Sequence, residues 1–130
     1  MLDFINVKII ATVQIIVVIG IIHFWIKWFR VEHNDPWLPK GYLEHERSFV
    51  YPDTVMSILM LISAILLFME NPLGERLALV CGGMMLFLTT IDIAYLAQND
   101  LFAKNRGGKE NWAMVIPITI MSTLLILRFI

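Results

Sequence analysis

The sequence predicts an all-α integral membrane protein: an antiparallel four-helix transmembrane bundle with a long amphipathic loop between its first two helices. Three observations predict it. Of the 130 residues, 58% are hydrophobic and 16% charged, whereas a soluble domain is about 45–50% apolar and about 25% charged. Mean hydropathy is +0.74. Long uncharged runs alternate four times with short polar ones, and a helix needs about 20 apolar residues to cross a hydrocarbon core. The reading is one domain over residues 1–130, with helices at about 5–28, 53–70, 72–98 and 112–130.

The first helix is the plainest. Between Ile9 and Trp25 only Thr12, Gln14 and His23 are markedly polar, and Lys8 can snorkel outward from its start. Asp3 stands where a signal peptide carries basic residues, and no small-residue cleavage site follows, so the run reads as a mature helix.

The stretch from Trp28 to Asp53 is the longest polar segment and holds two acid–histidine clusters, Glu32-His33-Asn34-Asp35 and Glu44-His45-Glu46. Pro36, Pro39 and Gly41 break regular structure, and Tyr42 to Phe49 can form about two turns of surface helix. Asp53 is a suitable N-cap for the second helix, whose apolar core from Val55 to Met69 is short for a span. Asn71-Pro72 caps and starts the third helix, so the second and third must be antiparallel neighbours. A second polar loop runs from Gln98 to Asn111, and Asn111 can cap the fourth helix.

Four spans put both termini on one face and both long loops on the other. The loop face carries Lys27, Arg30, Lys40, Arg47, Lys104, Arg106 and Lys109; the terminal face carries Lys8, Arg76 and Arg128. The positive-inside rule then makes the loops cytoplasmic and puts both termini outside. All four tryptophans, Trp25, Trp28, Trp37 and Trp112, fall on the loop face as an interfacial belt.

Composition also excludes functions. A net charge of −1 argues against nucleic acid as a partner. The single cysteine, Cys81, sits in an apolar run; it forms no internal disulfide, and no CxxC is present for redox chemistry or zinc. The histidines and acids of the loop have no strong metal-ligand spacing, and adjacent Glu-His residues on a helix point about 100° apart. No metal and no cofactor are therefore expected, and the loop acids are expected to pair with Arg30, Lys40 and Arg47.

Asp92 is the sharpest single signal, because a carboxyl within a span costs roughly 2.5–3.5 kcal/mol on insertion scales and normally faces protein or water. Thr89, Asp92, Tyr95 and Asn99 fall on one face of the third helix and rise toward the loop end. His23, Asp53 and Ser57 lie at the same depth on other helices. The candidate ligand-binding residues are therefore Asp92, Tyr95, Thr89, His23, Asp53 and Ser57, in a polar pocket below the loop. A small amphiphile, a cation or a proton is the expected occupant. The structural alternative makes Asp92 a hydrogen-bonded tie between helices. Two further functions remain open: a membrane enzyme on a lipid-like substrate with Asp92 and His23, or a loop histidine, as acid and base, and an accessory subunit of a larger membrane partner. Ala78, Gly82 and Gly83 give the third helix a small-residue face that serves internal packing or a homodimer.

The run Tyr42-Leu43-Glu44-His45-Glu46 through Tyr51-Pro52-Asp53, followed by Asn71-Pro72, resembles small four-helix prokaryotic membrane proteins and brings no site residues with it. The CxxC of vitamin K epoxide reductase-like proteins is absent. Small multidrug transporters carry an acid in the middle of their first helix, where this chain has Gln14. His23 and Asp92 are loosely similar to the acids and histidines within the spans of the sterol-isomerase group that shares the emopamil-binding fold.

Overall fold

The computed structural model describes residues 1–130. It is all-helical: α1 (Val7–Arg30), α2 (Tyr42–Ser48), α3 (Val50–Phe68), α4 (Pro72–Gln98) and α5 (Gly108–Phe129), with a short 3-10 turn at Lys104–Arg106 before α5. Counting α2 and α3 together, four helical stretches are long and apolar enough to cross a membrane.

The chain enters α1 at Asn6, whose side chain accepts a hydrogen bond from the Lys8 N–H at 2.8 Å. Lys27 and Arg30 occupy the last turn, where positive charge complements the helix dipole. A short segment then leads to α2, and a single helical residue, Phe49, separates α2 from α3. The second long helix therefore begins at Val50, three residues before the expected cap at Asp53. Pro52 does not stop it, because a proline in the first turn removes an N–H that has no intrahelical partner anyway. Asp53, released from capping, is free to point elsewhere.

Two turns share one design. After α3, Glu70 adopts a left-handed φ of 57°, and the Asn71 N–H donates back to the Leu66 carbonyl at 2.9 Å. The side chain of Asn71 then caps α4 by accepting from the Leu73 N–H at 2.9 Å, with Pro72 at the first helical position. After α4, Asp100 has φ 56° and the Leu101 N–H donates to the Leu96 carbonyl at 2.9 Å. Leu96 and Leu101 are buried together against Val115 of α5, the apolar contact that accompanies this C-terminal motif. Asn111 is not the cap of the last helix. That helix starts four residues before Trp112, and the Asn111 amide donates to the Leu101 carbonyl at 2.7 Å, tying the loop to α5.

In the packing, α1 lies on α3, α3 on α4 and α4 on α5, while α1 and α5 are not packed on each other. The core is built from Ile10, Ala11 and Val18 of α1, Met56, Met60, Ala64 and Leu67 of α3, Ala78, Cys81 and Met85 of α4, and Met121 and Leu125 of α5. Small residues bring the helices close. A Cβ on Gly82 would lie 3.0 Å from the Leu125 Cβ and 3.3 Å from the Ile126 backbone nitrogen, so its hydrogen is what admits α5. Gly83, its neighbour, faces open space. Gln14, fully buried, donates from Nε2 to the Met60 carbonyl and to Ser63 Oγ, each at 3.1 Å. Ser63 in turn donates to the Gly74 carbonyl at 2.7 Å, so two side chains link α1, α3 and α4.

The charges pair differently from expectation. None of the loop acids forms an ion pair with Arg30, Lys40 or Arg47; the ion pairs are Lys8–Glu70 at 3.7 Å, Arg128–Asp3 at 3.8 Å and the N-terminal amine with Asp3. Loop shape comes instead from aromatic contact. His33 stacks on Trp28 with ring centroids 4.5 Å apart, and its Nε2 lies 2.9 Å from the Trp28 carbonyl.

Candidate functional site

Because α1 and α5 do not pack on each other, a cleft of about 340 Å³ lies between them, backed by α3 and α4. That volume is within the range of about 300–1,000 Å³ typical of ligand pockets. Most of its wall is apolar: Val17, Ile21 and Phe24 of α1, Met56 of α3, Met85 and Leu88 of α4, and Met114 and Ile118 of α5. The polar lining is Glu46, Asp53, Thr89 and Asp92. Glu46 comes from α2, which closes the loop end with Phe49. Near the termini Arg128 donates from Nε to the Ile5 carbonyl at 2.9 Å, bridging α5 to the residues before α1.

α2 reaches the cleft because it is amphipathic at helical spacing. Tyr42, His45, Glu46 and Phe49, at i, i+3, i+4 and i+7, turn inward, while Leu43, Glu44, Arg47 and Ser48 are exposed. Glu46 is only 6% exposed, yet it has neither a hydrogen bond nor an ion pair. His45 lies face to face with Tyr95 of α4, ring centroids 3.6 Å apart and planes 13° off parallel. That stack places an imidazole nitrogen of His45, a Glu46 oxygen and an Asp92 oxygen all within 4.8 Å of one another. His45 Nε2, Asp92 Oδ1 and the Tyr95 hydroxyl are buried without a partner. Two ionised carboxylates this close repel each other, and a proton or a cation held between them removes the repulsion. Compared with family models, with curated proteins and with solved structures, the chain finds no match in any of the three.

Asp53 is the third carboxyl of the cleft and the one with a partner. The indole Nε1 of Trp25 donates to its Oδ2 at 2.9 Å, joining α1 to α3 at the loop end. We expect a coupling of about 1 kcal/mol between these side chains. A double-mutant cycle of Trp25→Phe and Asp53→Asn, read by thermal unfolding in detergent, measures it; strictly additive effects would show that the two side chains are not coupled.

Of the six residues singled out from the sequence, Asp92, Thr89 and Asp53 line the cleft. Tyr95 lies beside it, stacked on His45. His23 and Ser57 are not brought there. His23 is exposed on the outer side of α1, while Trp25 is the residue of that turn that faces inward. Ser57 is buried in a separate apolar groove between α1 and α3 that also contains Val18, Ile22 and Leu61. A shared level along the helices does not bring these residues together, because rotation about each helix axis separates them. Glu46 and His45, set aside in the sequence for want of metal-ligand spacing, are the side chains that the structure adds to the cleft end. The i, i+3, i+4, i+7 pattern of α2 was the available signal. The 100° between neighbouring residues does not keep the two apart, because they straddle the inward direction and their side chains converge on Asp92.

Proposed function

We propose that the chain is a multi-pass membrane protein whose cleft binds a small amphiphile, with the apolar part between α1 and α5 and a hydroxyl or amine head at Glu46, Asp53 and Asp92. The observation that carries this reading is the division of one cleft into a long apolar wall and a carboxyl-lined end. Binding sites of this form use apolar surface for affinity and a few convergent polar groups for orientation. A hydroxyl or amine donates hydrogen bonds to carboxylates, the acceptors at that end.

Membrane residence is supported by the outer faces. Ile9, Ile16, Ile19 and Ile22 of α1, Val55, Ile58 and Ile65 of α3, and Val80 and Phe87 of α4 are exposed. Water would make such continuous apolar surface costly, whereas lipid tails accept it. The four spans then run antiparallel, with the loops 28–53 and 98–111 on the cytoplasmic side by the distribution of Lys and Arg and both termini outside. Opening between α1 and α5 faces the bilayer in this arrangement, so the ligand enters sideways from lipid. The enzyme reading finds no support in His23, which is exposed, and keeps only a loop histidine, His45, beside Asp92.

Trp25 in the cleft wall supplies the test. Protein purified in detergent is titrated with a brominated long-chain alcohol or amine, and tryptophan quenching is recorded against a brominated alkane of equal length. We expect saturable quenching by the alcohol or amine that exceeds the alkane baseline. Asp53→Asn and Asp92→Asn are each expected to weaken it by about tenfold, the equivalent of about 1.4 kcal/mol. Quenching that never saturates, or that ignores the head group and both substitutions, would sink the proposal.

A further inference from the structure

We propose that His45, Glu46 and Asp92 form a binding site for a divalent first-row transition metal ion, of the zinc, iron or manganese class, at the closed end of the cleft. The donor atoms of the three side chains lie within 4.8 Å of one another and come from two elements, α2 and α4. Zinc–nitrogen and zinc–oxygen bonds are about 2.0–2.2 Å, so ligands around one ion sit about 3–3.5 Å apart. A small inward adjustment of side chains is all that separates the observed spacing from that one.

Three independent features point to an ion. First, Glu46 is 6% exposed, lines the cleft and has no partner of its own. Second, His45 Nε2 and Asp92 Oδ1 are also buried without partners. The three groups thus gather their donor atoms within 4.8 Å of one another, the spacing of a loose ligand set. Third, charge balances. Two carboxylates and a neutral imidazole around a doubly charged ion carry no net charge, the condition under which ionic groups are tolerated away from water. The mixed nitrogen and oxygen donors suit the zinc, iron and manganese class better than magnesium or calcium, which take oxygen ligands.

Tyr95 positions the site. Its ring covers the face of His45 at 3.6 Å and fixes the plane of the imidazole. Glu46 and Asp92 both line the cleft, so a coordination position left open by three protein ligands faces the cavity. A neutral hydroxyl or amine there can coordinate through its lone pair and still donate to Asp53. The metal site itself stands on His45, Glu46 and Asp92 alone and holds without an amphiphile.

The test uses full-length protein in detergent, prepared without a histidine tag and stripped with a chelator. Co²⁺ is titrated while its visible ligand-field absorption is followed, Zn²⁺ is used to displace it, and bound metal is counted by elemental analysis. We expect one ion per chain. Glu46→Gln, Asp92→Asn and His45→Phe should each weaken binding by about a hundredfold or more, since even changes outside the ligand set cost about 10–100-fold. Phenylalanine preserves the stack on Tyr95, and circular dichroism with gel filtration verifies that each variant is folded. Asp53→Asn, expected to weaken the amphiphile, should leave Co²⁺ binding unchanged, so failure of one proposal is distinguishable from failure of the other. No cobalt spectrum in the wild-type protein, or a stoichiometric ion that survives all three ligand substitutions, would overturn the site.

Discussion

Gly108→Ala is expected to lower stability by about 3 kcal/mol or more, the range reached when a packed interior is forced apart. A Cβ at this position would overlap the Phe102 carbonyl oxygen and lie 2.6 Å from the Ala103 carbonyl oxygen. Those neighbours are backbone, held by the hydrogen bond from the Gly108 N–H to the Ala103 carbonyl at 3.0 Å and by the Asn111–Leu101 bond. No rotamer change relieves the overlap, so the loop before α5 must shift, carrying Leu101 away from Leu96 and Val115. Gly83→Ala is the matched comparison. Its Cβ meets nothing within 4 Å, and alanine in a helix interior is favoured over glycine by roughly 0.5–1 kcal/mol. Thermal unfolding of both variants in detergent, with hydrogen exchange over residues 99–107, reads the difference. Equal behaviour of the two would remove Gly108 as the point on which α5 is seated.

Glu46→Leu is expected to act in the opposite direction on stability and to abolish binding. Glu46 is a buried residue whose carboxyl takes part in no ion pair. Removing a poorly compensated buried polar group in favour of an apolar one of similar volume typically stabilises by about 1–3 kcal/mol. We therefore expect a higher unfolding temperature, together with loss of both the cobalt signal and saturable quenching by the amphiphile. This combination is the mark of a group kept for binding at a cost to folding. A variant that is less stable than the wild type would show that Glu46 is structural, and the cleft would lose its most buried acid.

Much of the helical framework was legible in the chain. Uncharged runs of near-spanning length lead to four helices long and apolar enough to cross a membrane, because burial of apolar surface is written directly into composition and run length. Asn71-Pro72 likewise marks the start of α4, since a cap and a first-turn proline act through bonds within three residues. Asp53 and Asn111 were read by the same local rule and do something else. Each found a longer-range partner, Trp25 and the Leu101 carbonyl, and those partners are separated from them by 28 and 10 residues.

The candidate site shows the same division. Asp92, Thr89 and Asp53 could be named from the sequence because a polar group within an apolar helix is conspicuous on any helical wheel. Rotation is what the sequence lacks between helices. His23 and Ser57 are expected from the sequence at the level of Asp92, but α1 turns Trp25 inward in place of His23, and α3 turns Ser57 toward a different groove.

The polar stretch from Trp28 to Asp53 reaches the cleft through α2, Phe49 and Asp53. By itself the sequence determined where the four long helices lie and that they are apolar enough to cross a membrane, because periodicity and hydrophobicity are local sums. It also determined that Asp92 needs company. Only the tertiary structure decided what that company is. The seating of α2 across the end of the bundle, and the failure of α1 to close on α5, are outcomes of packing between segments distant in the chain. They bring His45 and Glu46 to Asp92 and leave a cleft leading to it, and no pattern within a single helix specifies either.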